Sequence, residues 1–140
     1  MKFTIGKSLL ASALLAVSVA AVSATLAVAG TLPTTVDVKQ GAALQSRGAL
    51  LIDVREANEY AEGHVPGSTL IPLGQLQQRL SEIAAHKNQP VAVICRSGSR
   101  SAKAVKLLEQ AGFSAAVNVE GGMNAWQKAG LLVVTGAASR

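Results

Sequence analysis

The chain contains one cysteine, Cys95, and it is followed directly by Arg96-Ser97-Gly98-Ser99-Arg100. A thiol is a nucleophile only as its thiolate, so a reactive cysteine needs surroundings that favour negative charge. Small residues at 97–99 let the backbone curl round the sulfur and turn successive N–H groups inward as an anion-binding nest. A helix beginning just beyond, near Ser101, would add its unsatisfied N–H groups and the positive end of its dipole. Arg96 and Arg100 raise the local potential further. A lone cysteine at a strand end also fits a buried, inert role, but an inert thiol has no need of a polar loop with two cations. With no second cysteine the thiol cannot close an internal disulfide. His64 and His86 are the only histidines, so no Cys/His cluster for a structural zinc exists and no metal site is expected.

Such a loop has to be held by something rigid. Short apolar runs read as strands at residues 50–54, 69–71, 91–95 and 115–119, with a brief edge strand at Thr35-Val36 and a further segment at 131–134. They are β-branched and apolar on both faces, as buried parallel strands are. Helices fall between them. Asp37 is placed to cap residues 38–47 ahead of Gly48, and Glu56–Glu62 reads as a short helix closed by Gly63. Leu73, Leu76, Leu80 and Ile83 make one apolar stripe; Ala102, Val105, Leu108 and Ala111 make another, ending at Gly112. A last helix near 122–129 carries Trp126. Strand–helix alternation of this kind implies an α/β domain with helices on both faces of a parallel sheet. Cys95 then lies beyond the carboxyl end of a strand, where open α/β sheets bind ligands.

The N-terminus reads differently. Lys2 and Lys7 open the chain, and from Ser8 to Ala29 there is no charge at all. This is the pattern of an export signal, with small residues suited to cleavage at Ala27-Val28-Ala29 or Val22-Ser23-Ala24. The same stretch is long enough to remain as a membrane anchor. The expected organisation is therefore a signal segment over 1–29 and one domain over 30–140, periplasmic or secreted, with membrane contact only if the segment is retained. The net charge of +5 includes the two leader lysines. The rest is spread out and not interleaved with Tyr60, Phe113 or Trp126, which gives no support to nucleic-acid binding. A mild positive excess suits a small anionic substrate.

Three segments in order carry a family resemblance. Leu51-Ile52-Asp53-Val54-Arg55-Glu56, Glu59-Tyr60 and Gly63-His64-Val65-Pro66-Gly67-Ser68 resemble the first half of a rhodanese domain. Cys95 to Ser101 resembles its active-site loop, and Val119-Glu120-Gly121-Gly122-Met123-Asn124-Ala125-Trp126 resembles its closing motif. The resemblance covers roughly residues 35–135. It implies a central, mostly parallel five-stranded sheet with helices on both faces, and a sulfurtransferase of the single-domain, exported bacterial type. In that chemistry the thiolate at Cys95 takes the outer sulfur of a small anionic donor such as thiosulfate. The persulfide then passes it to cyanide, a small thiol or a protein cysteine, with no cofactor. Arg96, Ser97, Gly98, Ser99 and Arg100 would bind the substrate sulfur through the loop, and Arg55 could reach the mouth or simply pair with Asp53 or Glu56. His64 is expected to anchor the turn at Gly63–Gly67, and Gly121 and Gly122 to permit a tight turn and close packing.

Loop length separates this chemistry from its neighbours. Phosphatases and arsenate reductases that share the fold place an arginine after five intervening residues, where this chain has Ser101. The shorter loop fits a sulfur atom better than a phosphoryl group. The donor is less sharply marked. Mitochondrial thiosulfate enzymes carry lysine at the position of Ser97; serine there is found in mercaptopyruvate enzymes, which usually lack the arginine seen here as Arg96 and have two domains. Thiosulfate is the expected donor, with a persulfide relay or protein-docking module as the alternative.

Overall fold

The computed structural model describes residues 33–139, so the apolar N-terminal segment lies outside the described residues. Within them the chain runs β1 (Thr35–Val36), α1 (Val38–Ser46), β2 (Leu50–Asp53), α2 (Ala57–Glu62), β3 (Thr69–Leu70), α3 (Leu73–Leu76), a 3₁₀ stretch (Gln77–His86), β4 (Pro90–Ile94), α4 (Ser99–Gln110), β5 (Ala115–Val119) and α5 (Gly122–Lys128). The five strands form one sheet in the order β1-β5-β4-β2-β3. Every pairing is parallel, with Asp53 level with Ile94 and Val93 level with Asn118.

The sheet's two faces explain the doubly apolar strands. On one face Ile52, Val91, Val93 and Ala116 pack with Leu76, Ile83, Ala104, Val105 and Leu108 from α3, the 3₁₀ stretch and α4. On the other, Leu51, Ala92, Ile94, Val117 and Val119 pack with Val38 of α1 and with Met123 and Trp126 of α5. Alternate residues of each strand serve opposite cores, as a period of two requires. β2 is followed in sequence by β3 on one side, and β4 by β5 on the other. The connections diverge between β2 and β4, opening a crevice at their carboxyl ends. Arg55 and Cys95 flank it.

Local signals set most of the helix ends. Asp37 Oδ1 accepts from the Gln40 N–H at 2.8 Å while Gln40 Oε1 accepts from the Asp37 N–H at 2.9 Å, a complete capping box. Three expectations change. Residues 77–86 wind as a 3₁₀ stretch rather than continuing an α-helix, although Leu76 and Ile83 still face the core. On α4 the buried face is Ser101, Ala104, Val105 and Leu108, whereas Ala102 and Ala111 are only half-buried. Residues 131–134 do not join the sheet. Trp126 Nε1 donates to the Leu132 carbonyl, Leu132 is left 71% exposed, and Val134 makes one antiparallel bridge to His64.

Candidate active site

Cys95 follows the last residue of β4, and the sheet aims it at the amino end of α4. Between them the chain reverses at Gly98, whose φ of 103° lies in the left-handed region that favours glycine. This turn brings the Gly98 N–H to 3.1 Å from Cys95 Sγ and sets Ser101 Oγ 3.2 Å from it. The backbone N–H groups of Ser97 and Ser101 also favour negative charge on the sulfur. Burial, the largest influence, pushes the Cys95 thiol up; the Ser101 hydroxyl, when turned to the sulfur, and the N–H groups of Ser101, Gly98 and Ser97 outweigh it, and the thiol then lies below its ordinary value. The cysteine itself is buried, 1% exposed.

The loop's outer side is fixed by α5. The N–H groups of Met123 and Asn124 donate to the carbonyls of Cys95 and Arg96, at 2.8 and 3.0 Å. Gly122 makes this approach feasible. A Cβ there would stand 2.3 Å from the Cys95 carbonyl oxygen and 2.6 Å from both the Arg96 carbonyl carbon and its oxygen. The closing Gly-Gly motif is therefore a clamp on the Cys95 peptide as well as a tight turn.

The candidate residues separate into groups. Ser97, Gly98 and Ser101 present backbone N–H groups to the sulfur, while the Ser97 and Ser99 side chains are exposed. Arg96 is largely exposed, its Nε 3.7 Å from Glu59. Arg100 is engaged: Nη1 and Nη2 grip the two Glu59 carboxylate oxygens at 2.7 and 2.8 Å. The second cation of the loop is thus already neutralised. Arg55 is 5% exposed and forks onto the fully buried Asp53, with Nη2 also donating to the Gly63 carbonyl at 2.7 Å. It also borders a cavity of about 270 Å³ with Glu59, Gly63, Arg96 and Asn124. His64 stacks on Tyr60 at 3.6 Å, and its Nδ1 donates to the Tyr60 carbonyl, so it anchors the turn.

Sequence reasoning passed over three site residues. Glu59 is 41 positions from Arg100, so no local pattern pairs them. Its carboxylate is held by α2, where Oε2 also accepts the Glu56 N–H at 3.1 Å. The Arg100 bond, aided by that N–H and by the Arg100 and Arg55 charges against a burial cost, lowers Glu59 from 4.5 to about 2. A depressed carboxyl contributes stability above its unfolded value and loses it as pH falls through the folded one. Stability should decline as pH drops from 4.5 towards 2, and acid unfolding of Glu59→Gln should show a shallower decline over that window. The other two are Ser101 and Asn118. Ser101 did carry a signal, since it shares one helix face with Val105 and Leu108. Asn118 gave none; it meets the site only through the pairing of β5 with β4.

Comparison with known proteins points to one family. The rhodanese-like domain family matches residues 37–129. A sulfurtransferase of Allochromatium vinosum is 39% identical over 85 residues, covering 61% of this chain and 78% of that protein. YrkF of Bacillus subtilis, whose name is that of a candidate sulfur carrier protein, is 40% identical over 76 residues, covering 54% of this chain but only 40% of its own length. The crystal structure of a rhodanese-related protein from Thermoplasma volcanium superposes with a TM-score of 0.66 at 31% identity, covering 73% of this chain and 98% of that one. A thiol cradled by backbone N–H groups at the end of a central parallel strand, with a family match over most of the described residues, identifies this chain as a member of the rhodanese-like domain family.

Proposed function

We propose that this chain is a sulfurtransferase that carries a sulfane sulfur as a persulfide on Cys95. The observation that carries the reading is the turn that brings the Gly98 N–H to 3.1 Å from Sγ, with the backbone at Ser97 and Ser101 also favouring negative charge there. These groups favour the attacking thiolate and would hold the negative terminal sulfur of a persulfide, as an oxyanion hole holds charge. With thiosulfate as donor, the thiolate attacks the outer sulfur. The sulfur–sulfur bond of the donor breaks, its electron pair leaves with sulfite, and Cys95 keeps the sulfur as an anionic persulfide. Cyanide, a small thiol or a protein cysteine then attacks that outer sulfur, and the Cys95 thiolate departs. No proton is moved by a side chain, and no base is needed.

In this reading Arg96 and Arg55, on the rim of the cavity beside the loop, meet the anionic donor, and Arg100 does so by exchanging its Glu59 partner. Where a phosphatase loop would place its arginine this chain has Ser101, whose hydroxyl lies beside Cys95 and Asn118, so phosphoryl transfer lacks its fork. A name such as that of YrkF supports the relay reading as a second form of the same chemistry. Thiosulfate with cyanide separates the two. Repeated turnover to thiocyanate is expected of a free-standing enzyme, and a single loading without turnover of a relay; no loading at all would reject both. We further propose that residues 1–29 direct export, so that the loop works outside the cytoplasm. Cell fractionation checks this, and a wholly cytoplasmic protein would contradict it.

A further inference from the structure

Ser101 Oγ, Asn118, Gly98 and Cys95 Sγ form a closed ring of hydrogen bonds, and its chemistry fixes the direction of every bond. Asn118 Nδ2 lies 3.2 Å from the Gly98 carbonyl oxygen, which can only accept. The amide nitrogen must therefore face Gly98, and the amide oxygen must face Ser101, 2.5 Å from Oγ. That oxygen also only accepts, so the Ser101 hydroxyl donates to Asn118. A hydroxyl has a single hydrogen. Towards Cys95 Sγ, at 3.2 Å, Ser101 consequently presents a lone pair, which suits an S–H and opposes a thiolate. When the sulfur becomes negative the hydroxyl has to turn to it and leave the Asn118 oxygen without its donor.

We propose that Asn118 is a positioning residue that holds the Ser101 hydroxyl away from the resting thiol and surrenders it when the sulfur takes on charge. Asn118 thereby acts as a restraint on ionisation, opposing the pull of the backbone N–H groups on the thiol, while the Gly98 end of the same amide steadies the turn that brings the Gly98 N–H to the sulfur. The inference rests on Cys95 being the reacting group, but not on which donor loads it. The charged groups around the ring are Arg100 on α4 with its Glu59 partner on α2, Arg96 on the loop, the Asp53–Arg55 pair after β2, and Lys106 and Glu109 beside Asn118 on the neighbouring surface. All are common to the variants below, so their effect cancels between them.

The test is the pH dependence of Cys95 alkylation by iodoacetamide, which reads the thiolate without any sulfur transfer. In Asn118→Ala the hydroxyl is free to serve the sulfur, and the midpoint should fall by about one pH unit, giving about tenfold faster alkylation on the acid side. Ser101→Ala should raise the midpoint, and adding Asn118→Ala to it should produce no further fall, because the coupling runs through the missing hydroxyl. Asn118→Asp keeps the acceptor and adds a negative charge, so its midpoint should rise. An unchanged or raised midpoint in Asn118→Ala, or an equal fall with and without Ser101, would overturn the proposal. Should Asn118→Ala not fold, a fall in Asn118→Asp overturns it equally. A failure here with normal sulfur loading leaves the sulfurtransferase reading intact.

Discussion

Gly122→Ala is expected to slow sulfur uptake by Cys95 about a hundredfold, the scale associated with a displacement of about 1 Å at a reacting group. The reason is the contact between two backbones. A Cβ at 122 would stand 2.3 Å from the Cys95 carbonyl oxygen, and neither peptide has a flexible end that can yield. Either α5 withdraws, losing the Met123 and Asn124 bonds to the loop carbonyls, or the loop moves and takes the sulfur out of its ring of N–H groups. The φ of 54° at Gly122 adds about 1–2 kcal/mol for any residue with a side chain, and two lost hydrogen bonds add about 1 kcal/mol each. Gly130→Ala is the control. Its φ of 72° carries the same backbone cost, but a Cβ there meets nothing within 4 Å. Loading rates and urea unfolding of the two variants separate strain from displacement: equal loading in both would show that Gly122 does not place the loop.

The second large effect is expected at Arg55, and it lies in stability. Asp53 is fully buried, and Arg55 supplies its only charged partner among the described residues while also binding the Gly63 carbonyl. Arg55→Ala leaves a carboxylate without a cation in a dry site, a change worth about 3–5 kcal/mol. Arg55→Lys should recover little, since an ammonium cannot reproduce the fork onto both oxygens. Replacing both partners by leucine should recover much of the loss, because no buried charge then remains. Urea unfolding of the three variants checks this. Normal stability in Arg55→Ala with a raised KM for thiosulfate would assign the residue to donor binding alone.

These predictions also mark what the sequence revealed. The five strands of the sheet, the Asp37 cap, the Gly48 and Gly112 stops and the loop after β4 were legible because each depends on neighbouring residues. The cradle round Cys95 was legible for the same reason: Gly98 and Ser101 lie within six residues of it. What escaped was assembled by the sheet and by packing. Glu59 reaches Arg100 across 41 positions, and Asn118 reaches Ser101 through the β4–β5 register. That Arg100 is already paired with Glu59 was likewise not legible, since only the fold supplies that partner. The clamp on the Cys95 peptide was half legible. The glycine pair announced close packing, but not that the surface packed against would be the Cys95 carbonyl.

Mass spectrometry of the intact protein after incubation with thiosulfate tests the central claim most directly. A gain of one sulfur atom is expected, lost on adding cyanide and absent in Cys95→Ser. An unmodified wild-type protein, or a sulfur adduct that persists in Cys95→Ser, would contradict a persulfide on Cys95.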